Sequence, residues 1–338
     1  MLHEPIAPAA GFAGKVIRTG YLAPECPLPL VVEPGFAGAD LLQWARGNRK
    51  LLEKELGRHG GVLFRGFGVD TPEAFQRFVE AACGRPLEYS ERSSPRSRVS
   101  GNIYTSTDYP PDQEIFLHNE QSYNRVFPRK IVFCCLQPAL RGGATPLADS
   151  RRIYQRLDPE VRRRFEDEGY LYQRNFALGF GLDWRTAFQT TDPGAVEEYC
   201  LENDIDFEWL DGGEHLRTRQ IRRAVARHPV TGEPTWFNHL TFFHISTLPE
   251  AIRRPLLAEF REEDLPNNTY HADGSPISPD VLDELRRLYR EETGDFPWEK
   301  GDVLLLDNML VAHARSAFEG PRKVVVSMAD PTDWDTLE

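Results

Sequence analysis

Three side chains that can bind a metal ion stand in two strand-like segments that lie far apart in this sequence of 338 residues. His118 and Glu120 are two residues apart at the end of an apolar stretch, and alternate side chains of a β-strand point to the same face of a sheet. His313 follows another apolar run, residues 302–307, near the other end of the chain. Any fold that uses all three groups must bring these two segments together.

Two imidazoles and one carboxylate on one side of an ion leave its other positions open, which is the facial arrangement of non-haem Fe(II) oxygenases. A single His-x-Glu pattern is weak evidence, because most such histidines are ordinary core or surface residues. The late histidine after a second buried strand strengthens the interpretation. His118, Glu120 and His313 are therefore predicted to be the metal ligands and the catalytic residues.

The composition excludes several classes of function. A net charge of -12 argues against binding to nucleic acid, because such binding depends on clustered Lys and Arg. The N-terminal residues lack the basic and apolar parts of a signal peptide, and no apolar stretch approaches the roughly 20 residues of a membrane span. Five cysteines without Cys-x-x-Cys spacing are typical of reduced thiols. We therefore expect a cytoplasmic protein with no nucleic-acid or membrane partner.

The order of apolar patterns predicts a single domain over residues 1–338, mostly β with flanking helices, built as a two-sheet sandwich or barrel. Residues 1–35 are rich in Pro and Gly and are expected to form an extended arm, and residues 170–230 are expected to form a lid over the site. Helices are predicted over residues 40–57, 71–84, 149–157, 159–168, 193–203 and 278–293. Strands are predicted over residues 61–67, 116–123, 130–136, 144–148, 235–244, 303–306 and 323–328.

Activation of O2 at such a metal needs an electron-donating cosubstrate beside it, and a dicarboxylate needs a fixed cation at its far end. Arg322, at the start of a β-branched strand, suits this role because its planar guanidinium can pair with a carboxylate through two hydrogen bonds. Thr145 follows the Gly142–Gly143 turn and is a candidate second donor. The competing interpretation of Thr145 is an ordinary strand threonine.

Together these segments resemble the taurine dioxygenase (TauD/TfdA) superfamily of Fe(II)/2-oxoglutarate-dependent oxygenases. The glutamate in the metal motif and residues 102–110 resemble its clavaminate synthase-like and syringomycin-aspartate-hydroxylase-like branch. The resemblance covers roughly residues 60 to 330, and its motifs occur in the order of the family. The motif segments are residues 61–67, 116–123, 142–145, 307–315 and 318–322.

This resemblance implies a double-stranded β-helix (jelly roll) of the clavaminate synthase-like type, with Fe(2+) bound by His118, Glu120 and His313. Thr145 and Arg322 would bind the C5 carboxylate of 2-oxoglutarate, with Lys323 as the neighbouring alternative to the arginine. The implied reaction oxidises 2-oxoglutarate to succinate with O2 and hydroxylates an unactivated C–H bond. Related halogenases replace the metal carboxylate by a small residue. Glu120 therefore favours hydroxylation or desaturation.

The branch implies a small-molecule substrate, namely an amino acid or an amino-acid-derived metabolite, free or bound to a carrier protein, in natural-product (antibiotic) biosynthesis. Two other functions fit the same three side chains. One is a zinc-dependent hydrolase, which the lack of a His-Glu-x-x-His helix disfavours. The other is a non-catalytic jelly-roll binding protein. The sequence leaves the oligomeric state open.

Residues next to the metal motifs are candidates for contact with the substrate, and these are Asn102, Thr105, Ser106 and Arg315. The competing interpretation is that they satisfy backbone groups in loops. His239 and His244 lie in an aromatic-rich segment and could approach the site, but a structural role is favoured for both. The other histidines of the middle and early chain are predicted to lie in loops or at the surface, namely His59, His215, His228 and His271.

Overall fold

The computed structural model describes residues 16–23, 26–87, 91, 97–106, 109–177 and 181–337. Several helices in this part begin where the sequence supplies a capping side chain. Asp40, Thr71 and Ser278 each accept a hydrogen bond from a backbone N–H of the first turn, which satisfies one of the amides that a helix start leaves unpaired. In chain order the helices are α1 Leu41–Gly47, α2 Arg49–His59, α3 Pro72–Ala82, α4 Ser150–Arg156, α5 Pro159–Glu168, α6 Trp184–Phe188, α7 Pro193–Glu202, α8 Leu240–Phe243, α9 Glu250–Glu259 and α10 Pro279–Glu291.

Strands make up the centre of the molecule, and most of them pair antiparallel. The strands before the metal motif are β1 Ile17–Ala23, β2 Cys26–Pro34, β3 Gly61–Phe64, β4 Arg98–Ser100 and β5 Ile103–Thr105. The following strands are β6 Ile115–His118, β7 Val126–Gln137, β8 Arg141–Gly142, β9 Leu147–Asp149, β10 Tyr170–Phe176, β11 Asp206–Leu210, β12 His215–Arg222, β13 Val225–Arg227 and β14 Pro234–Trp236. The last are β15 Asn267–His271, β16 Thr293–Gly294, β17 Val303–Asp307, β18 Val311–Arg315, β19 Phe318–Glu319 and β20 Lys323–Asp333.

Two sheets enclose an apolar core between them. The larger sheet has the strand order β1-β2-β3-β17-β7-β20-β5-β4, and the smaller has the order β16-β9-β18-β6. Side chains from both sheets form one buried cluster that includes Phe133, Leu147, Val311 and Val326. Alternating strand residues that face each other across two sheets are the basis of a sandwich core. The predicted jelly-roll architecture is confirmed.

Helices α1, α2 and α3 cover the outer face of the larger sheet. Leu56, Phe75 and Phe78 pack in one buried cluster with Val132 and Leu305 of the sheet. Because both faces of the central strands are covered, these strands are apolar on both sides and lack the polar alternation of a half-exposed strand. The run Val303–Asp307 is buried at every position for this reason.

A third sheet, with the strand order β11-β12-β10-β15, lies beside the smaller sheet. Its strand β10 contributes Tyr172, whose ring lies 5.7 Å from the ring of Tyr123 in the turn after the metal motif. Tyr172 also stacks on Phe243 of α8 at 4.3 Å. The third sheet and α8 are thus packed directly against the region of the metal motif.

The N-terminal segment differs from its prediction. Residues 1–15 lie outside the described residues, but β1 and β2 form an antiparallel hairpin rather than an extended arm. Strand β2 also pairs in parallel with β3, and Leu30 and Val32 are fully buried. Burial of these apolar side chains fixes the hairpin at the edge of the larger sheet.

Two other predicted elements need correction. The helix predicted over residues 40–57 is divided at Asn48 into α1 and α2, and it ends at Gly60, whose φ of 75° is left-handed, rather than at Gly57. The strand predicted over residues 235–244 is short, because the chain leaves β14 after Trp236 and forms α8. No helix in the described part of the chain is both long and apolar enough to cross a membrane.

Candidate metal centre and cosubstrate pocket

His118, Glu120 and His313 come together in the structure. Each offers one ligand atom, and these atoms all lie within 4.8 Å of one another. Glu120 Oε2 lies 3.9 Å from His118 Nε2 and 4.0 Å from His313 Nε2. The three residues are 9%, 2% and 4% exposed, respectively. Two neutral imidazoles and a carboxylate, held close in a buried place, fit a divalent iron with open positions on one side.

Strand pairing sets the positions of the two histidines. His313 of β18 lies directly opposite His118 of β6 in the antiparallel pair, and their rings are 4.5 Å apart between centroids. The His118 Nδ1 atom lies 2.8 Å from the carbonyl oxygen of Phe116. A hydrogen bond from Nδ1 to this carbonyl leaves Nε2 with its lone pair for the metal.

The position of Glu120 has a different cause from the one predicted. Strand β6 ends at His118, and Glu120 belongs to the turn that follows, so strand alternation does not place its side chain. The buried side chain of Asn308 fixes the turn instead. Its Oδ1 accepts a hydrogen bond from Glu120 N at 2.7 Å, and its Nδ2 donates to the Glu120 carbonyl at 2.8 Å. Asn119 Nδ2 donates to the Asn308 carbonyl at 2.7 Å.

A cavity of about 550 Å³ adjoins the three ligands, which is a usual size for a small-molecule site. Thr145 and Arg322 line the cavity together with the metal residues. Much of the remaining lining is apolar, and it includes Phe116, Phe133, Phe176, Leu182, Phe242, Phe243, Ile245, Leu248, Ile252 and Leu256. Phe242 and Phe133 lie beside the metal ligands, with ring centroids 4.7 Å from that of His118 and 5.2 Å from that of His313. The cavity therefore combines a few polar and charged groups with a mainly apolar wall.

Arg322 lies along the turn that the sequence singled out. Its Nε donates to the Gly143 carbonyl at 3.0 Å, and its Nη1 donates to Ser106 Oγ at 3.3 Å. Gly143 has a φ of 71°, and a Cβ atom there would approach Arg322 Cδ to 3.0 Å. Glycine at this position therefore leaves room for the arginine side chain. Burial, reinforced by the charge of Arg315, lowers the pKa of Arg322 to about 10. The guanidinium stays charged at neutral pH and faces the cavity.

Thr145 is the second predicted cosubstrate residue, and it also lines the cavity. Its Oγ1 accepts a hydrogen bond from Trp298 Nε1 at 3.1 Å. Lys323, the alternative to Arg322, is exposed and is not among the residues that line the cavity. The geometry therefore favours Arg322 with Thr145 as the pair that could hold the far carboxylate of a dicarboxylate.

The four substrate candidates divide into two groups. Ser106 and Arg315 line the cavity, whereas Asn102 and Thr105 are not among its lining residues. Thr105 Oγ1 accepts a hydrogen bond from Ser97 N, and the Asn102 carbonyl accepts one from Ser327 Oγ. The guanidinium of Arg315 donates to the backbone carbonyls of three residues of the loop before β6, namely Tyr109, Pro110 and Gln113. These contacts hold that loop against the cavity.

Sequence reasoning missed several residues that surround the site. His239, expected to be structural, lies 5.4 Å from His118 between ring centroids and lines the cavity, with its Nδ1 2.7 Å from Ser122 Oγ. Burial holds the pKa of His239 well below its usual value, so its imidazole is neutral. Arg174 also lines the cavity and forms an ion pair with the buried Glu91 at 3.2 Å. The aromatic density around residues 236–243 is the sequence feature that could have pointed to His239.

Comparison with known proteins decides the family. Residues 22–328 match the family described as taurine catabolism dioxygenase TauD, TfdA family. The chain belongs to this family. The TauD/TfdA assignment covers the metal motif, the Gly142–Gly143 turn and the region of His313 and Arg322. It agrees with the resemblance that the motifs predicted.

Two curated relatives extend the match over most of the chain. One is the dapdiamide synthesis protein DdaC of Enterobacter agglomerans, 41% identical over 280 residues, which are 83% of this chain and 85% of the relative. The other is the clavaminate synthase-like protein At3g21360 of Arabidopsis thaliana, 30% identical over 321 residues, which are 89% and 93% of the two chains. The predicted branch of the family is consistent with both.

Solved structures share the fold at low sequence identity. PvcB, described as an Fe, alpha-ketoglutarate dependent oxygenase from an isonitrile synthetic pathway, superposes with a TM-score of 0.52 at 16% identity, covering 91% of this chain and 89% of PvcB. AAD-2, solved with Mn(II) and N-oxalylglycine, also has a TM-score of 0.52 at 16% identity, covering 94% and 98% of the chains. The chain described here therefore shares its fold with both structures.

The protein is therefore an Fe(II)- and 2-oxoglutarate-dependent dioxygenase that uses O2. The buried triad of His118, Glu120 and His313 has the donor set that this iron chemistry requires. When bound, the iron supplies the redox chemistry of O2. The protein residues supply its binding, the binding of the cosubstrate and the shape of the cavity.

Proposed function

We propose that this dioxygenase hydroxylates an unactivated C–H bond of an amino acid or an amino-acid-derived metabolite in the biosynthesis of a natural product. His118, Glu120 and His313 are assigned as the iron ligands, and Thr145 and Arg322 as the residues that bind the C5 carboxylate of 2-oxoglutarate. The observation that carries the proposal is the convergence of the three ligands in the wall of a cavity that is also lined by a charged arginine.

The reaction type is supported by the carboxylate in the metal triad. In related halogenases a small residue stands at the position of Glu120 and leaves room for a halide on the metal. Here the Glu120 carboxylate fills that position. The carboxylate also reduces the net charge of the metal site, which favours retention of a divalent ion. Hydroxylation is therefore proposed over halogenation.

The substrate class is supported by the relative whose name places it in dapdiamide synthesis and by the polarity of the cavity. The polar and charged groups of the cavity suit the carboxylate and amino groups of a small metabolite, and its apolar lining suits a side chain or an acyl group. The cavity reaches the surface near the exposed residues Glu114 and Pro249. A substrate attached to a carrier protein could enter by this route. Comparing the turnover of one amino acid as the free molecule and as its carrier-protein thioester distinguishes the two forms.

Two further proposals concern the molecule as a whole. The region of residues 170–230 supplies a wall of the cavity through β10 and Leu182, and we propose that it acts with α9 as the cover of the site. The described thiols Cys83, Cys134, Cys135 and Cys200 are free and buried, which supports a reducing, cytoplasmic location.

The test is an anaerobic titration of the Fe(II)-loaded protein with 2-oxoglutarate, followed by the metal-to-ligand charge-transfer absorption. We expect a saturable band in the natural protein and its loss in the Glu120→Ala variant. Amino acids are then screened for stimulated succinate formation and for a product heavier by one oxygen atom. Turnover with zinc and without 2-oxoglutarate would instead support the hydrolase, and binding without turnover of any kind would support the non-catalytic alternative.

A further inference from the structure

We propose that Trp298 is a positioning residue for 2-oxoglutarate: its indole N–H fixes the hydroxyl of Thr145 so that the hydroxyl proton is directed at the C5 carboxylate. This inference rests on the proposed function, in which Thr145 and Arg322 bind that carboxylate. It adds a residue that lies outside the cavity lining and that acts through Thr145.

The direction of the hydrogen bond between Trp298 and Thr145 is fixed by chemistry. An indole N–H can only donate, so at the observed 3.1 Å the Thr145 oxygen must be the acceptor. A hydroxyl carries one proton, and that proton remains available for a second partner. No described residue accepts it in the structure, and Thr145 lines the cavity while being only 3% exposed. The hydroxyl proton is therefore free to be donated to a ligand in the cavity.

The indole is held rigidly enough to impose this orientation. Trp298 packs on Phe296, with ring centroids 5.1 Å apart, inside the apolar core between the two sheets. The segment that carries it is tied to the start of β17, because Glu299 N donates to Asp302 Oδ2 at 2.8 Å. Arg65 bridges the same segment by donating to the Pro297 carbonyl at 2.9 Å and pairing with Asp302. Rotation of the indole would break this packing.

The partner in carboxylate binding is Arg322. Two of its nitrogen atoms already donate to Gly143 and Ser106, and among the described residues no carboxylate lies within ion-pair distance of its guanidinium. The burial that lowers its pKa also leaves its charge poorly solvated, so an entering carboxylate gains a strong partner. Without Trp298, the Thr145 hydroxyl could rotate and turn a lone pair towards that carboxylate. The two donors would then no longer act together.

The experiment compares Trp298→Phe with the natural protein in anaerobic Fe(II) titrations. Two probes are used: 2-oxoglutarate, and 2-oxopentanoate, which has the same chain length but a methyl group in place of the C5 carboxylate. We expect the dissociation constant of 2-oxoglutarate to rise about threefold to tenfold, as for loss of one hydrogen bond to a binding group. The dissociation constant of 2-oxopentanoate should stay unchanged. Trp209→Phe is the matched control, because it removes an indole donor that bonds Glu197 instead.

A double-mutant cycle with Thr145→Val separates this inference from the proposed function. If Trp298 acts through Thr145, its replacement has no further effect on 2-oxoglutarate binding in the Thr145→Val background. Equal weakening of both probes by Trp298→Phe would overturn the inference, since it would indicate a packing role alone. An effect of Thr145→Val without any effect of Trp298→Phe would also overturn it, while the proposed role of Thr145 stands. Unchanged 2-oxoglutarate binding in Thr145→Val would remove that proposed role itself.

Discussion

Arg322 places a positive charge in the cavity wall, and this charge leads to a prediction for a single residue. In the Arg322→Gln variant, the affinity for 2-oxoglutarate should fall about tenfold to hundredfold, because hydrogen bonds to charged groups contribute about 1.5 to 3 kcal/mol. The neighbouring Lys323→Gln variant is the control, since Lys323 is exposed. Both are measured by anaerobic titration. A large loss in the lysine variant alone would transfer the role to Lys323.

Asn308 gives a second residue-level prediction, because it holds the backbone of Glu120 from both sides. The Asn308→Asp variant keeps an acceptor for Glu120 N–H but loses the donor to the Glu120 and Pro128 carbonyls. We expect Fe(II) affinity to fall about tenfold to hundredfold, as for other groups that orient metal ligands. Competition with a chelator measures this change, with Asn203→Asp at the end of α7 as the control. Native Fe(II) affinity in a folded Asn308→Asp protein would contradict the role.

The sequence pointed to residues whose chemistry is local and missed residues whose role comes from distant contacts. His118, Glu120, His313, Thr145 and Arg322 lie in short motifs, and the structure brings them to one cavity. The contact of Trp298 with Thr145 and that of Asn308 with Glu120 join residues more than 150 positions apart. No spacing rule reveals such pairs.

His228 also shows that local sequence does not predict burial by distant contacts. Its neighbours Arg227, Pro229 and Gly232 predicted a loop or surface position, and it does lie in the loop between β13 and β14, but it is only 1% exposed. Its Nε2 lies 3.0 Å from Asp307 Oδ2, at the end of β17. His59 and His271, also predicted at the surface or in loops, are buried as well. Polar neighbours in the sequence do not indicate whether distant segments of the chain will bury a residue.

Among the described α-helices, α9 is unusual because none of its residues is buried. Ile252 and Leu256 face the cavity, whereas the next residue, Leu257, is 46% exposed and does not line it. A helix with so little burial opens at low free-energy cost. We infer that a bound substrate stabilises it from the cavity side.

This arrangement supplies a matched pair of variants. Leu256→Ala should raise the KM of the substrate identified by the amino-acid screen about fivefold, because it removes apolar contact area. Leu257→Ala should leave this KM unchanged, and neither should alter 2-oxoglutarate affinity. Hydrogen exchange over residues 250–259 should slow on substrate binding in the natural protein. Equal KM values for the two variants would show that α9 does not contact the substrate.

Elements with a strong period were predicted well, and those with mixed patterns were not. Helix α10 and strand β17 follow clear apolar patterns and lie within two residues of their predictions. Strand β2 contains Pro27 and Pro29, which suggested an arm because proline lacks a backbone donor. Its pairing with β3 begins only at Leu30, after these prolines. Tertiary pairing therefore overrode the local preference.

At the scale of the whole molecule, histidines whose pKa is lowered by burial make stability depend on pH, and His239 and His244 are two of them. Burial lowers the pKa of His244 from 6.5 to about 4, and burial with the charge of His118 lowers that of His239. Between pH 6.5 and about 4 the unfolded chain binds protons that the folded chain does not. The free energy of unfolding therefore falls as pH falls through this range.

The thermal midpoint of the metal-free protein, measured from pH 7.5 to 4.5, tests this dependence. We expect the midpoint to fall with pH in the natural protein and to fall less steeply in His244→Gln, since that variant lacks one of the imidazoles with a lowered pKa. The difference between the two proteins cancels the contribution of the carboxylates. Parallel curves would show that His244 is protonated equally in both states.

The overall architecture was accessible from the sequence because the motif order implied two facing sheets. The third sheet was not, since β11 has no buried residue, β12 has the exposed Arg219 between buried neighbours, and β15 is a mostly polar segment. Strand β10 pairs with both β12 and β15 over most of its length, and β11 pairs with β12. The sheet therefore depends on pairing between distant segments, which no local sequence pattern reports.

The direct pairing of His313 with His118 across β18 and β6 has a consequence for folding. If β18 slipped by one residue along β6, every side chain of β18 would turn to the opposite face of the sheet. The imidazole of His313 would then point away from its partner. An ion bound by both histidines therefore adds to the free energy that keeps these two strands in their correct alignment.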